Sequence, residues 1–167
     1  MSKPSSITSY KRKLISSIVN SPELITIINP EYIDANGNCI NVTDEEVGLL
    51  FKQIFPFYYI PNAQTDKLSY LAMKVNGLGT VNKIYTKAEI YIWAISHQDV
   101  IRIENSIDTR IDLMSEIIEN LFDGRDDFGF GEMKLTSNTE TRINDNYRCR
   151  KLIFTVEDFH AKNYPDE

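Results

Sequence analysis

The sequence has few of the residues on which most enzymes and metalloproteins depend. Its 167 residues include two cysteines, two histidines and one tryptophan. Neither His97 nor His160 has a second histidine at the HxxxH spacing of a helical metal-binding pair. Cys39 and Cys149 lie far apart and form no CxxC pair, so we expect two free thiols. The sequence therefore predicts no metal or other cofactor.

Long apolar runs are also missing. No stretch approaches the roughly twenty apolar residues that cross a bilayer, and the polar start MSKPSSITSYKRK lacks the apolar core of a secretory signal. We therefore expect a protein made in the cytoplasm, with no membrane partner. A length of 167 residues and a hydrophobic content of 42% favour a single domain over residues 1–167. Residues 1–66 would form a helical and irregular part, 67–159 the sheet and helix core, and 160–167 a tail.

Three groups of residues invite a chemical interpretation, and each has a simpler one. His97 and Asp99 follow a predicted strand and could form an acid–base pair, but polar residues are also expected where a strand meets solvent. The aspartates at 123, 126 and 127 lack the ligand pattern of a calcium loop. The GxG triplets at 77–79 and 129–131 do not open a helix after a strand, so we expect turns and no nucleotide site.

Acidic residues are concentrated in one segment. From Asp99 to Asp127 there are nine acidic residues and three arginines, a net charge of −6, which equals the charge of the whole chain. The simpler interpretation is a solvated outer face, and the sharper one is a patch complementary to a basic neighbour. A short basic cluster, Lys11 to Lys13, is too small to predict binding to nucleic acid.

The segment from Ile84 to Phe159 has the clearest secondary-structure pattern. A helix is predicted from Ser106 to Asp123, with Ser106 or Asp108 as N-cap, Asp112 in the first turn and Gly124 ending it. Its apolar residues recur at spacings of three and four and predict one buried stripe. The stripe comprises Ile107, Ile111, Met114, Ile117, Ile118 and Leu121.

Three strands surround this helix in the sequence. Ala88 to Ile95 is apolar on both faces, which predicts a central strand. Glu132 to Ser137 and Arg150 to Val156 alternate apolar and polar residues, which predicts an antiparallel pair with one wet face. The polar residues between them, Asn138 to Asn146, predict an exposed hairpin loop suited to contacts.

The N-terminal part is less regular. Helices are predicted over Ile7 to Val19 and from Pro22 through Ile27, stopping before Pro30. The Asn36-Gly37 pair predicts a small hairpin joining Tyr32-Ile33 to Cys39-Ile40.

Thr43 followed by three acidic residues predicts a capped helix that stops at Pro56. A strand over Leu68 to Val75 and a flexible connection over Asn76 to Val81 complete this part.

Aromatic residues cluster between Pro56 and Pro61. Phe55 and the segment Phe57 to Ile60 are too irregular for a core strand, and something must cover their rings. They either pack over the sheet within one subunit or form a contact between subunits. Together these patterns predict an α+β fold with a mostly antiparallel sheet of about four strands, an amphipathic helix on one face and N-terminal helices.

Three segments carry a resemblance to a known family. They are KAEIYIWAISHQDVIRI, DTRIDLMSEIIENLFDG and FGEMKLTSNTETRINDNYRCRKLIFTVEDF. Their order, a strand, an acidic helix and a strand pair ending in an aromatic residue, resembles the bacteriophage tail terminator or tail-completion proteins over Tyr70 to Phe159.

The resemblance implies a structural virion protein with no catalytic role. Such a protein assembles as a ring of its own copies, expected to be a hexamer, on the end of the tail tube. It joins the tube to the connector or neck of the head, and DNA only passes through the channel. The loops at 76–85 and 138–146 are the expected contact regions. Interface candidates are Asn76, Gly77, Gly79, Lys83, Tyr85, Asn138, Arg142 and Asn144.

Two alternatives remain open from the sequence. The first is another head–tail connector, neck or baseplate component, since ring proteins at these positions share small α+β folds. The second is a small enzyme or nucleic-acid-processing factor that uses His97 and Asp99.

Overall fold

A computed structural model describes residues 7–62, 66–80, 85–129 and 131–159. Helices and strands alternate irregularly along the chain, as expected for an α+β protein. The helices are α1 (Ile7–Val19), α2 (Pro22–Ile28), a 3₁₀ turn at Pro30–Tyr32, and α3 (Arg110–Phe122). The strands are β1 (Ile54–Phe55), β2 (Ser69–Thr80), β3 (Tyr85–His97), β4 (Lys134–Arg142) and β5 (Tyr147–Phe159).

One five-stranded sheet organises the fold, with the strand order β1-β2-β3-β5-β4. Only the two-residue β1 runs parallel to its neighbour, and the other pairs are antiparallel. The α+β fold is therefore confirmed, with β1 as an additional short strand. β3 lies at the centre and pairs with β2 and β5, as its apolar residues on both faces predicted.

The helices cover one face of this sheet, which we call the covered face. Side chains of α1, α2 and α3 pack with alternate residues of the strands into the larger core. The described part of the N-terminal region thus shares its core with the sheet. Fully buried members include Leu14, Leu24, Met73, Ile92, Met114, Ile118, Leu152 and Phe154.

The N-terminal predictions mostly agree with the structure. α1 has the predicted bounds, and α2 begins at Pro22 with Ser21 as its N-cap. The predicted small hairpin is reduced to a single antiparallel bridge between Ile33 and Cys39. Gly37 at its turn has φ 81°, a conformation that favours glycine.

The predicted helix after Thr43 is wrong. The chain forms consecutive turns instead, because the Asp44 carboxylate accepts the backbone N–H groups of Glu46 and Val47, both at 2.9 Å. Side chains of this type compete with helical hydrogen bonds. Gly48 makes the turn possible, since a Cβ there would lie 2.4 Å from the Asp44 carbonyl oxygen. Phe51 follows at φ 61° and lies 63% exposed.

Helix α3 begins later than predicted. Thr109 is the N-cap, and its hydroxyl accepts the N–H of Asp112 at 3.2 Å. Ser106 and Asp108 bond each other instead, with the Ser106 hydroxyl 2.8 Å from the Asp108 carboxylate. Ile107 was expected on the buried stripe but lies outside the helix and is fully exposed. The rest of the stripe is buried or half-buried, and Gly124 follows the helix at φ 80°, as predicted.

The opposite face of the sheet, which we call the open face, is covered at one end by the residues that the structure describes. Phe55 stacks on Tyr59 with ring centroids 3.8 Å apart, and the Tyr58 ring lies 4.6 Å from that of Trp93. These rings shield a second, smaller core that includes Tyr70, Tyr147 and Cys149. The aromatic segment therefore packs within the subunit, although Phe57, Tyr58 and Ile60 remain about half exposed.

Candidate interaction surfaces

The two candidate contact regions lie at opposite ends of the sheet. Tyr85 pairs with Phe159 at one end of the β3–β5 ladder, and His97 pairs with Tyr147 at the other. Since each strand residue advances about 3.3 Å, the ends are roughly 40 Å apart. Thr80 at the end of β2 and Tyr85 at the start of β3 lie at the first end, and the β4–β5 turn lies at the second.

The first candidate region is more regular than predicted. Asn76 and Gly77 do not lie in a flexible connection but pair with Glu89 and Ala88 of β3. The backbone of Gly79 belongs to β2, and that of Tyr85 begins β3. The ladder shifts register between Gly77 and Thr80, as at a β-bulge. Lys83 lies outside the described residues, so its predicted role stays a prediction.

The second candidate region is also mostly strand. Asn138 to Arg142 belong to β4, which leaves only residues 143–146 as the turn. Asn138 faces α3, where its Nδ2 donates to the Ser115 hydroxyl at 3.5 Å. Among the described residues no donor reaches its buried Oδ1. Asn138 therefore supports the helix rather than a loop contact.

Asn144 organises this turn. Its Oδ1 accepts the backbone N–H groups of Asn146 and Tyr147 at 2.9 and 3.1 Å, and its Nδ2 donates to the Pro61 carbonyl at 3.0 Å. Arg142 pairs with Asp145 and is exposed. Of the candidates in this region, Arg142 has the most exposed side chain, although its guanidinium group also donates to the Asn144 carbonyl at 3.2 Å.

The sequence-based reasoning missed a surface on the open face. Tyr91 and Trp93 stack with centroids 5.7 Å apart, and the ammonium groups of Lys74 and Lys151 lie 5.8 and 5.2 Å from the Tyr91 ring centre. A groove of 390 Å³ lies beside Trp93, between Tyr58 and the β4–β5 pair. The alternation of Tyr91 and Trp93 with apolar residues in β3 was the available signal. It predicted burial on both faces and did not show that part of one face stays open.

His97 and Asp99 do not form an exposed reactive pair. The imidazole is buried against Tyr147, with centroids 5.0 Å apart, and its Nδ1 accepts the Asp99 backbone N–H at 3.1 Å. The Asp99 carboxylate lies 3.8 Å from the His97 Nδ1 and accepts a hydrogen bond from the Lys67 ammonium at 2.6 Å. This hydrogen bond lowers the pKa of Asp99 and raises that of Lys67. Asp99 matches the simpler interpretation of a polar residue where a strand meets solvent, whereas His97 is buried and does not.

The acidic residues near α3 also have structural partners. The Asp123 carboxylate accepts the N–H of Leu135 at 2.8 Å, and Asp127 accepts two hydrogen bonds from Arg125. These bonds lower the pKa of Asp127. Within the described ranges, no three potential ligands gather in a way that could hold a metal ion.

One ion pair ties α3 to the sheet. Arg150 of β5 donates to the Asp112 carboxylate at 2.7 Å. Burial alone would raise the pKa of Asp112, but the hydrogen bonds from Arg150 and Thr109 outweigh it, so the pKa is lowered.

Both cysteines are free, and burial raises the pKa of Cys149 to about 11.

These features define a class of protein. It is a small α+β protein whose described residues form an open sheet with an exposed β4–β5 turn and one partly uncovered face. None of the helices in the described part has the length and apolar character to cross a membrane.

The sequence model of the YomW family matches residues 21–156, so the chain belongs to the YomW family. The family name marks it as a phage-associated protein. No curated protein matches the sequence.

Proposed function

We propose that this protein is a structural component of a phage virion, a tail terminator that forms a ring on the tail tube and joins the tube to the connector or neck. Its copies would form a hexamer, and DNA would pass through the central channel. The work of such a protein is recognition, and it needs neither a cofactor nor a reactive side chain.

The observation that carries this proposal is that the end of β2 with the start of β3, and the β4–β5 turn, lie at opposite ends of the sheet. A protein that links two larger assemblies must offer a contact at each end. A rigid antiparallel ladder holds such contacts at a fixed separation, since every residue from Tyr85 to His97 pairs with β5. The phage-associated family agrees with this role.

The edges of the sheet supply a second argument. β4 is an edge strand, and β1 pairs only with Leu71 and Ala72, so most of β2 has a free edge within the described residues. The unpaired backbone N–H and C=O groups of a free strand edge can pair with a strand of another chain. A closed ring would cover them by head-to-tail contacts, which is a common use of such surfaces in symmetric assemblies.

The position of the protein in the particle tests the proposal. We expect a tagged copy to be found at the junction of head and tail, and depletion to leave filled heads and tubes of uncontrolled length that do not join. Location at the capsid shell or the baseplate would contradict the terminator role, as would its absence from particles.

A matched pair of surface variants tests the turn at residues 143–146. Arg142→Glu reverses an exposed charge beside this turn and breaks the surface pair with Asp145, so it should reduce tail joining while lowering stability by at most about 1 kcal/mol. Glu116→Lys reverses an exposed charge in the middle of α3 and should leave joining unchanged. Normal joining by Arg142→Glu would exclude this turn as a contact.

A further inference from the structure

An ordered loop before α3 presents a single apolar side chain to solvent. The backbone bridge between Arg102 and Thr109 closes the loop, and the N–H of Arg110 donates to the Ile101 carbonyl at 2.8 Å. Ile107, in this closed loop, is 100% exposed. We call residues 102–109 the Ile107 loop.

Hydrogen bonds within the loop hold this arrangement. The Ser106 N–H donates to the Ile103 carbonyl at 3.3 Å, and the Ser106 hydroxyl accepts the Asp108 N–H at 3.0 Å. Asn105 adopts φ 60°, which asparagine tolerates well. Because Ile107 is fully exposed, it contributes no burial within its own subunit.

An apolar groove elsewhere on the molecule could receive such a side chain. The groove has a volume of 510 Å³ and lies between α1 and the turns that follow Val42. Its apolar lining includes Ile15, Val19, Leu50, Phe51 and Pro56. Phe51 is held there at φ 61° with most of its ring exposed. Bulky residues rarely adopt this conformation, and such outliers often mark functional positions.

Charges accompany the apolar match. Lys11 and Arg12 of α1 border the groove. Glu104 and Asp108 lie on either side of Ile107 in the sequence of the loop and are exposed, and with the exposed Arg102 the loop has a net charge of −1. The loop therefore presents an isoleucine with a carboxylate on each side in the sequence, and the groove presents an apolar lining beside two basic side chains. The two surfaces are complementary in polarity and charge. Such complementarity favours one orientation of docking and speeds association.

We propose that the Ile107 loop of one copy inserts into the α1 groove of the next copy. This inference rests on the proposed ring for the identity of the partner, a second copy of this chain. The loop and the groove are different patches, so the contact is heterologous. Each copy would bind the next in the same way, and the ring closes when the rotations between copies add up to a full turn. Glu104 and Asp108 then lie beside Lys11 and Arg12 of the neighbour.

Complementing variants test the contact directly. Ile107→Asp removes the apolar residue of the loop, and Phe51→Asn alters the groove while tolerating the positive φ. Each alone should weaken self-association at least about tenfold, the loss expected when one buried aliphatic side chain is removed. An equimolar mixture should form a one-to-one dimer, because one intact loop and one intact groove remain. Sedimentation at high protein concentration measures both effects.

Ile40→Asp is the matched control, since it places the same charge at another exposed isoleucine, which is 38% accessible and is not part of the groove lining. It should associate like the unaltered protein. Undiminished association of Ile107→Asp, or failure of the two variants to complement, would overturn the inference.

A photocrosslinking residue at position 107 gives an independent readout, both in concentrated protein and in particles. Crosslinks to residues 8–19 or 43–56 of another copy support the contact. Crosslinks elsewhere, or none in either sample, refute it. A protein absent from particles that still crosslinks in this way would refute only the terminator role. A protein at the neck whose Ile107→Asp variant assembles normally would refute only this contact.

Discussion

The two faces of the sheet are built differently, although the same strands form both. On the covered face, three helices bury alternate strand residues such as Ile92 and Phe154 completely. On the open face, an irregular aromatic segment covers one end, and Tyr91 with its two lysines stays accessible at the other. The difference indicates that one face supplies most of the stability, which leaves part of the other for contacts.

Neighbouring residues of β5 should show the largest contrast. Phe154 is fully buried on the covered face, where its ring meets that of Phe122 edge-on at 6.1 Å, while Ile153 is half-buried on the open face. We expect Phe154→Ala to lower the free energy of unfolding by about 3–5 kcal/mol. Ile153→Ala should cost about 1 kcal/mol. Equal losses in urea denaturation would remove the distinction between the faces.

The aromatic cover should have an intermediate effect. Tyr58→Ala removes the ring over Trp93 and should cost about 1 kcal/mol, in the range of an aromatic pair. Because Trp93 is the single tryptophan, its fluorescence should shift to longer wavelength as water reaches it. Phe57→Ala is the control, since its described ring contacts are with Phe51 and Phe55. An unchanged spectrum in Tyr58→Ala would show that this ring does not shield Trp93.

The ion pair between α3 and β5 should contribute less, and its contribution should depend on pH. Asp112→Asn is expected to cost roughly 0.5–1 kcal/mol at neutral pH, because both partners are partly exposed. The folded-state pKa of Asp112 is lowered, so its contribution is present above the unfolded-state pKa of about 4 and is lost as the pH falls through the folded-state pKa.

The stability difference between Asp112→Asn and the unaltered protein should therefore shrink in acid. Denaturation curves at a series of pH values measure it. A difference that is the same at every pH would mean that the carboxylate charge plays no part.

The smallest effect is expected from the lysines of the open face. Lys151→Gln removes a cation near Tyr91 and should cost about 0.5 kcal/mol, as at other exposed sites of this kind. Thermal unfolding is the measurement. A loss of several kcal/mol would mean that this lysine is part of the stabilising core, and that the open face is less available for contacts than proposed.

The sequence predicted most elements but few details of the candidate site. The helical spacing of apolar residues predicted the bounds of α1. The alternation of apolar and polar residues in β5 predicted its pairing with β4. The candidate regions were predicted as loops because residues such as Asn76 and Asn138 are polar and disfavour strands. They are strands because backbone pairing with β3 and β5 satisfies their hydrogen bonds, and pairing across the sheet is not visible in a local pattern.

Local sequence by itself determined the spacing of apolar residues in the helices and strands, the central position of β3, and the clustering of acidic residues before and along α3. Tertiary structure decided which apolar residues are covered. Ile107 fits the helical stripe by spacing, yet Thr109 begins the helix and leaves Ile107 in solvent. Phe51 lies in the segment that was predicted as a helix after Thr43, yet the Asp44 turn leaves it exposed beside a groove. The physical reason is that burial depends on which surfaces meet, and those surfaces come from distant parts of the chain.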